Sequence, residues 1–232
     1  MDAASFHNQT FYPDISATAQ QLTDLCRELV ARGHQVSVLC DRRDYLNPGH
    51  THPYREQHEG VEVVRVASID LGGASRLRRI LSALMLNVAM AVRLSLMPKA
   101  DLVIALTSPP LIAAVAAVWA RLRGVPFVYW IMDLNPDQAI AAGWVREGSF
   151  RARVLRAVLR WTLKSSAKVI VLDRFMAERV QRYGVEAERI AIDPPWPLQE
   201  DAVAAVPPSE NRFLQAHGLS GSFVVMYSGN HS

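Results

Sequence analysis

Ala31-Arg32-Gly33-His34-Gln35-Val36-Ser37-Val38-Leu39-Cys40 is the stretch that decides the fold. Glycine at the end of an amphipathic segment is the residue that closes a helix in the left-handed conformation. Here it hands over almost at once to a strand-length run, QVSVLC, at residues 35–40. So direct a change of period is the joint of an α/β layer structure. The device returns where Gly124-Val125-Pro126 precedes Phe127-Val128-Tyr129-Trp130-Ile131.

Outward from these joints, short apolar runs alternate with longer segments of helical period. Strands are expected at residues 35–40, 61–66, 102–105, 127–131, 168–172 and 189–192. Helices are expected at 18–32, 75–97, 109–123, 149–164 and 174–183. Continuously apolar strands between helices predict a parallel sheet covered on both faces. The fold class is α/β, a doubly wound parallel sheet. The first strand is thin, since only Ala3 to His7 precede the loop at 8–13.

Residues 1–193 read as this first lobe. Pro194-Pro195-Trp196-Pro197, an acidic and Ala/Val stretch and Pro207-Pro208 then make 194–208 a linker. Residues 209–232 are expected to hold a short helix ending at Gly218, and then the first strand of an incomplete second lobe. That strand, from Phe223 to Ser228, would run into a loop at Gly229-Asn230.

Half of the 232 residues are hydrophobic, enough for a sizeable core and against disorder. A net charge of +3 suits phosphates or an anionic membrane surface, but is too weak to imply nucleic acid. Cys26 and Cys40 lack metal-ligand spacing and read as reduced packing residues of a cytosolic protein. Met1-Asp2-Ala3-Ala4 lacks the features of a signal peptide. The most apolar segment, 80–92, is broken by Arg93 and falls short of a bilayer span, so no transmembrane helix is expected, and 80–97 reads as a core helix rather than a membrane insert. No metal spacing links His7, His34, His50, His52 and His58, and His50-Thr51-His52 reads as a solvent-exposed pair in a Gly/Pro-rich loop.

Candidate chemistry sits where strands give way to helices. In the 8–18 loop Ser16 and Thr18 can cap the first helix, whose free N–H groups and positive dipole end would accept a phosphate. A cap without a ligand and a binding loop both stand as readings. Asp133 and Asp137 follow the fifth strand expected, at the edge where doubly wound folds bind ligands. Asp133 reads as a base or hydroxyl anchor, Asp137 as the cap of the next turn. Thr107-Ser108-Pro109-Pro110 reads as a helix start. In RARVLRAVLRWTLK, at 151–164, Arg153, Arg156, Arg160 and Lys164 share a helical face with no acidic partner in the segment. With Trp161 beside them, they form either a solvated surface or a contact with an anionic bilayer. The cluster Arg76-Leu77-Arg78-Arg79 adds to the second reading.

Several of these motifs, in this order, resemble family 4 glycosyltransferases of the GT-B fold. The stretch from Asn8 to Gln20, then Leu22, Leu25 and Leu29, then Arg32-Gly33-His34-Gln35-Val36-Ser37-Val38-Leu39, resembles the opening of such enzymes. Within them it is most similar to the subgroup that builds cell-surface polysaccharides such as colanic acid and O-antigen. Asp133-Leu134-Asn135-Pro136-Asp137 is similar to that subgroup's loop, Val169 to Met176 and Pro194-Pro195-Trp196 to the stretch leading out of the acceptor lobe, and Tyr227-Ser228-Gly229-Asn230 to the opening of the donor lobe.

The resemblance implies a Rossmann-like acceptor lobe and transfer of a sugar from a nucleotide-sugar donor to a lipid-linked or membrane-proximal glycan, at the inner face of the plasma membrane. It implies no cofactor beyond the nucleotide sugar as co-substrate, and no metal held by a DXD motif. Asp133 would be the catalytic residue, Ser16, Ala17 and Thr18 the phosphate or acceptor loop, and Gly229 and Asn230 the start of the donor site. Where many relatives have Gly-Gly, this chain has Ser16-Ala17. The donor lobe's basic residues and Glu-x7-Glu element lie outside these 232 residues, so the chain by itself is expected to be inactive. A GT-B sugar-nucleotide epimerase and a non-catalytic membrane-binding subunit that pairs with a separate donor lobe are the alternative functions.

Overall fold

Alternate side chains of the central strands enter two separate cores, and this two-sidedness sets the layers. The computed structural model describes residues 2–47, 49–69, 71, 75–196, 206–219 and 221–225. Eight strands form one sheet: β1 (Ala3–His7), β2 (Gln35–Asp41), β3 (Arg55–His58), β4 (Val61–Val66), β5 (Leu102–Ala105), β6 (Phe127–Trp130), β7 (Lys168–Val171) and β8 (Ile190–Ile192). Their order is β3-β4-β2-β1-β5-β6-β7-β8, and every pairing is parallel except β3 with β4. The expected doubly wound sheet is borne out, and the thin first strand lies at its centre.

The helices are α1 (Ala17–Ala31), α2 (Arg76–Ser95), α3 (Ile112–Arg123), α4 (Asp137–Ala141), α5 (Phe150–Ser165), α6 (Arg174–Arg182) and α7 (Arg212–Ala216). Leu22 and Cys26 of α1 meet Phe6, Val36, Val38 and Trp130 on one face of the sheet. Leu86 and Met90 of α2, the alanines of α3, Leu159 and Leu163 of α5 and Val180 of α6 cover the other. In α3 (IAAVAAVWARLR) small side chains dominate, and this helix packs between α2 and α5. Arg189 donates to the carbonyls of Leu163 (3.3 Å), Lys164 (3.0 Å) and Ser166, placing a cation on the last turn of α5.

Three expectations are corrected. The strand β3 was not foreseen: its polar REQH sequence forms the sheet edge, where only one partner and partial burial are needed. Helix α2 is not a plain core helix, because Leu77, Ile80, Leu81, Leu84, Val88 and Val92 face outward, Leu77 and Val88 at about two-thirds exposure. No strand forms at Phe223–Val225, where Phe223 and Val225 are exposed. A strand without a ladder partner leaves its amides unpaired; Met226 to Ser228 lie outside the described residues.

The chain divides into one compact unit, Met1–Trp196, and a second, Pro197–Ser232. In the first, Trp196 stacks on Trp130 with ring centroids 6.0 Å apart. In the second, Asn211 caps α7 by accepting from the amides of Phe213 and Leu214.

The β3–β4 hairpin turns on Glu59 (φ 48°) and Gly60 (φ 83°), the two consecutive positive angles of a type I′ turn. A Cβ on Gly60 would meet Val30 Cγ1 of α1 at 2.7 Å, whereas one on Gly33 (φ 89°) would meet nothing within 4 Å. Gly33→Ala is expected to cost about 1 kcal/mol from backbone conformation alone. Gly60→Ala should cost about 2–4 kcal/mol, because the overpacking adds to it. Urea unfolding of the two variants measures the difference, and equal losses would show that Val30 yields freely.

Candidate functional site

The strand order reverses direction at β1: the chain runs outward through β2 and β4, then returns to β5 on the other side. A doubly wound sheet binds its ligands in the crevice at the carboxyl ends of the strands flanking such a point. Three loops leave this edge of the sheet, 8–16 after β1, 106–111 after β5 and, one strand further out, 131–136 after β6.

The β1 ladder continues into the first loop, as Asn8 N donates to Leu39 O (3.1 Å) and Asp41 N to Gln9 O (2.9 Å). Across the crevice Gln9 N donates to Ser108 O (2.6 Å), and Ser108 Oγ donates to Gln9 Oε1 (2.9 Å). The buried Asn8 side chain donates to Thr10 O (2.8 Å) and Oγ1 (3.3 Å). Thr10 Oγ1 meets Ser16 Oγ at 3.0 Å, and Ser16 Oγ accepts from Ala19 N at 3.3 Å. A relay from β1 to the first turn of α1 therefore fixes the loop.

Ser16 is the N-cap of α1, as the sequence suggested. Thr18 is not a cap, because it already lies inside the helix. Among the described residues the amides of Ala17 and Thr18 have no acceptor, so the dipole end of a fifteen-residue helix opens at the crevice loop. Thr107-Ser108-Pro109-Pro110 is loop rather than helix start. Helix α3 begins at Ile112, after Leu111 in the left-handed region at φ 76°. A bulky residue there is strained, and such strain clusters at functional sites. Sequence periodicity carries no trace of it.

In the third loop Asp133 is exposed, and Gln138 Nε2 donates to its Oδ1 at 3.0 Å. Asp137 does not cap α4, whose N-cap position is Pro136. Its Oδ1 instead accepts from Tyr183 Oη (2.9 Å) and lies 3.6 Å from Arg156 Nε, a structural tie between α4, α5 and α6. Burial, and then the hydrogen bond to Asp137, push the Tyr183 hydroxyl up to about 12.

Arg156 is thus not an unpaired member of a basic face, because it also bonds Glu147 (3.3 Å), an acid outside the segment that suggested the face. Arg153, Arg160 and Lys164 are exposed. Arg156 and Arg160 line a cavity of about 490 Å³ together with Arg179, Arg182 and Tyr183. Nor are both histidines of the 50–52 pair exposed: His52 is buried, with its Nε2 3.7 Å from Asp44 Oδ2. Gly229 and Asn230 lie outside the described residues.

The model of a glycosyl transferase 4-like domain matches residues 16–196. The chain belongs to this family. None of the curated protein sequences compared with it matches. Among solved structures it is similar to sucrose-phosphate synthase from Thermosynechococcus elongatus, with a TM-score of 0.57, 13% identity and coverage of 84% of this chain and 48% of that one. It is also similar to Anabaena Alr3699/HepE in complex with UDP-glucose (TM-score 0.55, 15% identity, 95% and 51% covered). A third is the catalytic domain of starch synthase IV from Arabidopsis thaliana bound to ADP and acarbose (TM-score 0.53, 9% identity, 84% and 51% covered). The chain spans about half the length of these structures. At such identities the likeness establishes the fold, a Rossmann-like lobe of the GT-B kind.

His7 closes β1 with its ring wholly buried; Nε2 meets Ser5 Oγ at 3.1 Å, and Nδ1 has no partner among the described residues. Burial disfavours the imidazolium and lowers the pKa from 6.5 to about 4. Below pH 6.5 the unfolded chain takes up a proton that the folded one refuses. The stability tied to neutral His7 is therefore complete above pH 6.5 and lost as pH falls toward 4, on the order of 3 kcal/mol in all. Burial raises the Asp14 and Asp41 carboxyls and acts in the opposite sense, so the readout is a difference between proteins. In His7→Gln the fall in melting temperature between pH 6.5 and 4 should be shallower than in the parent; parallel curves would assign the decline to other groups.

Proposed function

We propose that this lobe is the acceptor-binding half of a glycosyltransferase that moves a sugar from a nucleotide-sugar donor to a lipid-linked or membrane-proximal glycan in cell-surface polysaccharide synthesis. The observation that carries the reading is the placement at the same carboxyl edge of the sheet of the open α1 amides and the exposed Asp133, in a lobe of a glycosyl transferase family. The UDP-glucose of Alr3699/HepE supports a nucleotide sugar as donor.

In the reaction the bond between the sugar's anomeric carbon and the nucleotide diphosphate breaks, and a bond to an acceptor oxygen forms. Asp133, with Oδ1 held by Gln138, orients the acceptor hydroxyl and takes its proton. The amides of Ala17 and Thr18 and the α1 dipole stabilise the negative charge that gathers on the leaving diphosphate. The hydrogen-bonded relay from Asn8 to Ser16 keeps those donors in place, so the lobe works mainly by positioning.

The membrane contact lies on α2. No helix among the described residues is long and apolar enough to cross a bilayer. The outward stripe of α2, flanked by the exposed Arg78 and Arg79 and without an acidic residue in the helix, instead suits lying flat in an anionic interface. A Leu or Val side chain buried in lipid contributes on the order of 1–2 kcal/mol and each surface cation about 1 kcal/mol. The apolar stripe therefore outweighs the charges of Arg153, Arg160 and Lys164, which add attraction.

In the full protein that carries this lobe, Asp133→Asn should lower kcat/KM by about 10²–10⁴-fold with nucleotide sugar and a polyprenyl-linked acceptor. Asp137→Asn should lower the melting temperature through the lost Tyr183 and Arg156 contacts and leave turnover of the folded protein near normal. Similar small effects of both on turnover would remove Asp133 from the site, and no sugar transfer from any common donor would remove the activity.

Co-sedimentation with vesicles containing anionic phospholipid tests the membrane face. Combining Leu81→Glu, Leu84→Glu and Val88→Glu should abolish binding, whereas Arg153→Gln, Arg160→Gln and Lys164→Gln together should weaken it and flatten its salt dependence. The reverse pattern would place the contact on α5 instead of α2.

A further inference from the structure

The loop that joins β2 to β3 brings together Asp44, His50 and His52, each offering a ligand atom within 4.8 Å of the others. His52 is more than nine-tenths buried, and its Nε2 has no hydrogen-bond partner among the described residues. That nitrogen lies 3.7 Å from Asp44 Oδ2, too far for a hydrogen bond. Two donors on a tetrahedral ion with bonds of about 2.0–2.1 Å stand roughly 3.4 Å apart, so this pair needs to close by only a few tenths of an ångström.

The loop's own bonds aim these atoms. Asp44 Oδ1 accepts from the amides of Leu46 (2.9 Å) and Asn47 (2.7 Å), which turns Oδ2 toward the imidazoles. His52 is held at the backbone, its N donating to Arg42 O (2.8 Å) and its O accepting from Arg42 Nε (2.6 Å). The exposed His50 ring stands edge-on to that of His52 with centroids 5.0 Å apart.

We propose that Asp44, His50 and His52 bind a divalent first-row transition ion, with Zn²⁺ the leading occupant. Two imidazoles and one carboxylate suit such an ion, whereas Ca²⁺ and Mg²⁺ take oxygen ligands. A buried imidazole nitrogen without a partner costs free energy, and a metal bond supplies the partner that no protein group gives. The exposed side of His50 leaves room for water to complete the shell. None of the three ligands is among the groups assigned to the transfer step. Tyr45 N, in the same loop, donates to Asp14 Oδ1 (2.8 Å), so a metal that pins this loop also steadies the 8–16 loop of the crevice.

Tag-free full chain, stripped with chelator and dialysed, is titrated with Co²⁺ and Zn²⁺. The expected result is one ion per chain, with visible d–d absorption of low-coordinate Co²⁺ that Zn²⁺ displaces and that excess Mg²⁺ leaves unchanged. His50→Ala, a change at an exposed ring that should leave the fold intact, and Asp44→Asn are each expected to weaken binding at least about tenfold and to remove the d–d signal. His217→Ala, at an exposed histidine elsewhere, should change neither. No stoichiometric binding of either ion by the parent chain would overturn the proposal. So would binding that survives His50→Ala, or that His217→Ala weakens equally, since either result marks adventitious surface coordination. Far-ultraviolet circular dichroism of each variant separates lost ligands from lost fold.

Discussion

Everything at the crevice hangs on a five-residue strand hydrogen-bonded on both sides. β1 pairs in parallel with β2 through Ala3↔Gln35 to His7↔Leu39, and with β5 through Ala4↔Leu102 to His7↔Ala105. Its own sequence, AASFH, has little to recommend it as a strand, and what holds it is burial between two neighbours. The ladder continues past its end, where Leu106 N donates to His7 O at 3.0 Å. The two loops that face each other across the switch point therefore start from one rigid line of peptide groups. A loop set on such a base needs few further ties to hold its geometry.

Arg65 is the second tie. It projects from β4, is almost wholly buried, and meets Glu56 of the facing edge strand at 2.7 Å while donating to Tyr12 O at 2.7 Å. A buried guanidinium is tolerable only when its N–H groups are taken up by acceptors. Here they are, by a carboxylate on one side and by a carbonyl of the crevice loop on the other. The polar edge hairpin is thus coupled to the crevice, which gives β3 a purpose that its length and exposure would not suggest.

The parallel strands were legible because burial on both faces demands continuous apolar runs, and Val61–Val66 and Leu102–Ala105 formed as read. The edge strand was not, since REQH satisfies its one ladder without an apolar pattern; only Gly60 hinted at the turn. The capping role of Ser16 could be read locally, whereas the partners of Arg156 could not. Asp137 and Glu147 reach it from other elements. The burial of His52 is hidden for the same reason: a loop position does not reveal that the chain folds back over it. In α2 the difficulty is one of kind. Leucine facing a protein core and leucine facing outward read identically, so only the packing separates Leu86 and Met90 from Leu81 and Val88.

Direction then links α2 to the crevice. α2 follows β4 and packs on β2 and β4, and the chain resumes in the parallel strand β5. A helix that connects parallel strands runs antiparallel to them, so it starts at their carboxyl ends and finishes at their amino ends. The first turn of α2, with Arg78 and Arg79, therefore belongs to the same edge of the sheet as the loops that carry Ser16, Ser108 and Asp133. An α2 lying flat on anionic lipid spans about 30 Å of interface, with its cationic end toward the crevice. On the proposed docking, an acceptor anchored by a lipid tail would meet the crevice loops without leaving the bilayer. On that proposal the lipid need only bring the glycan to that edge, and recognition falls to the loops.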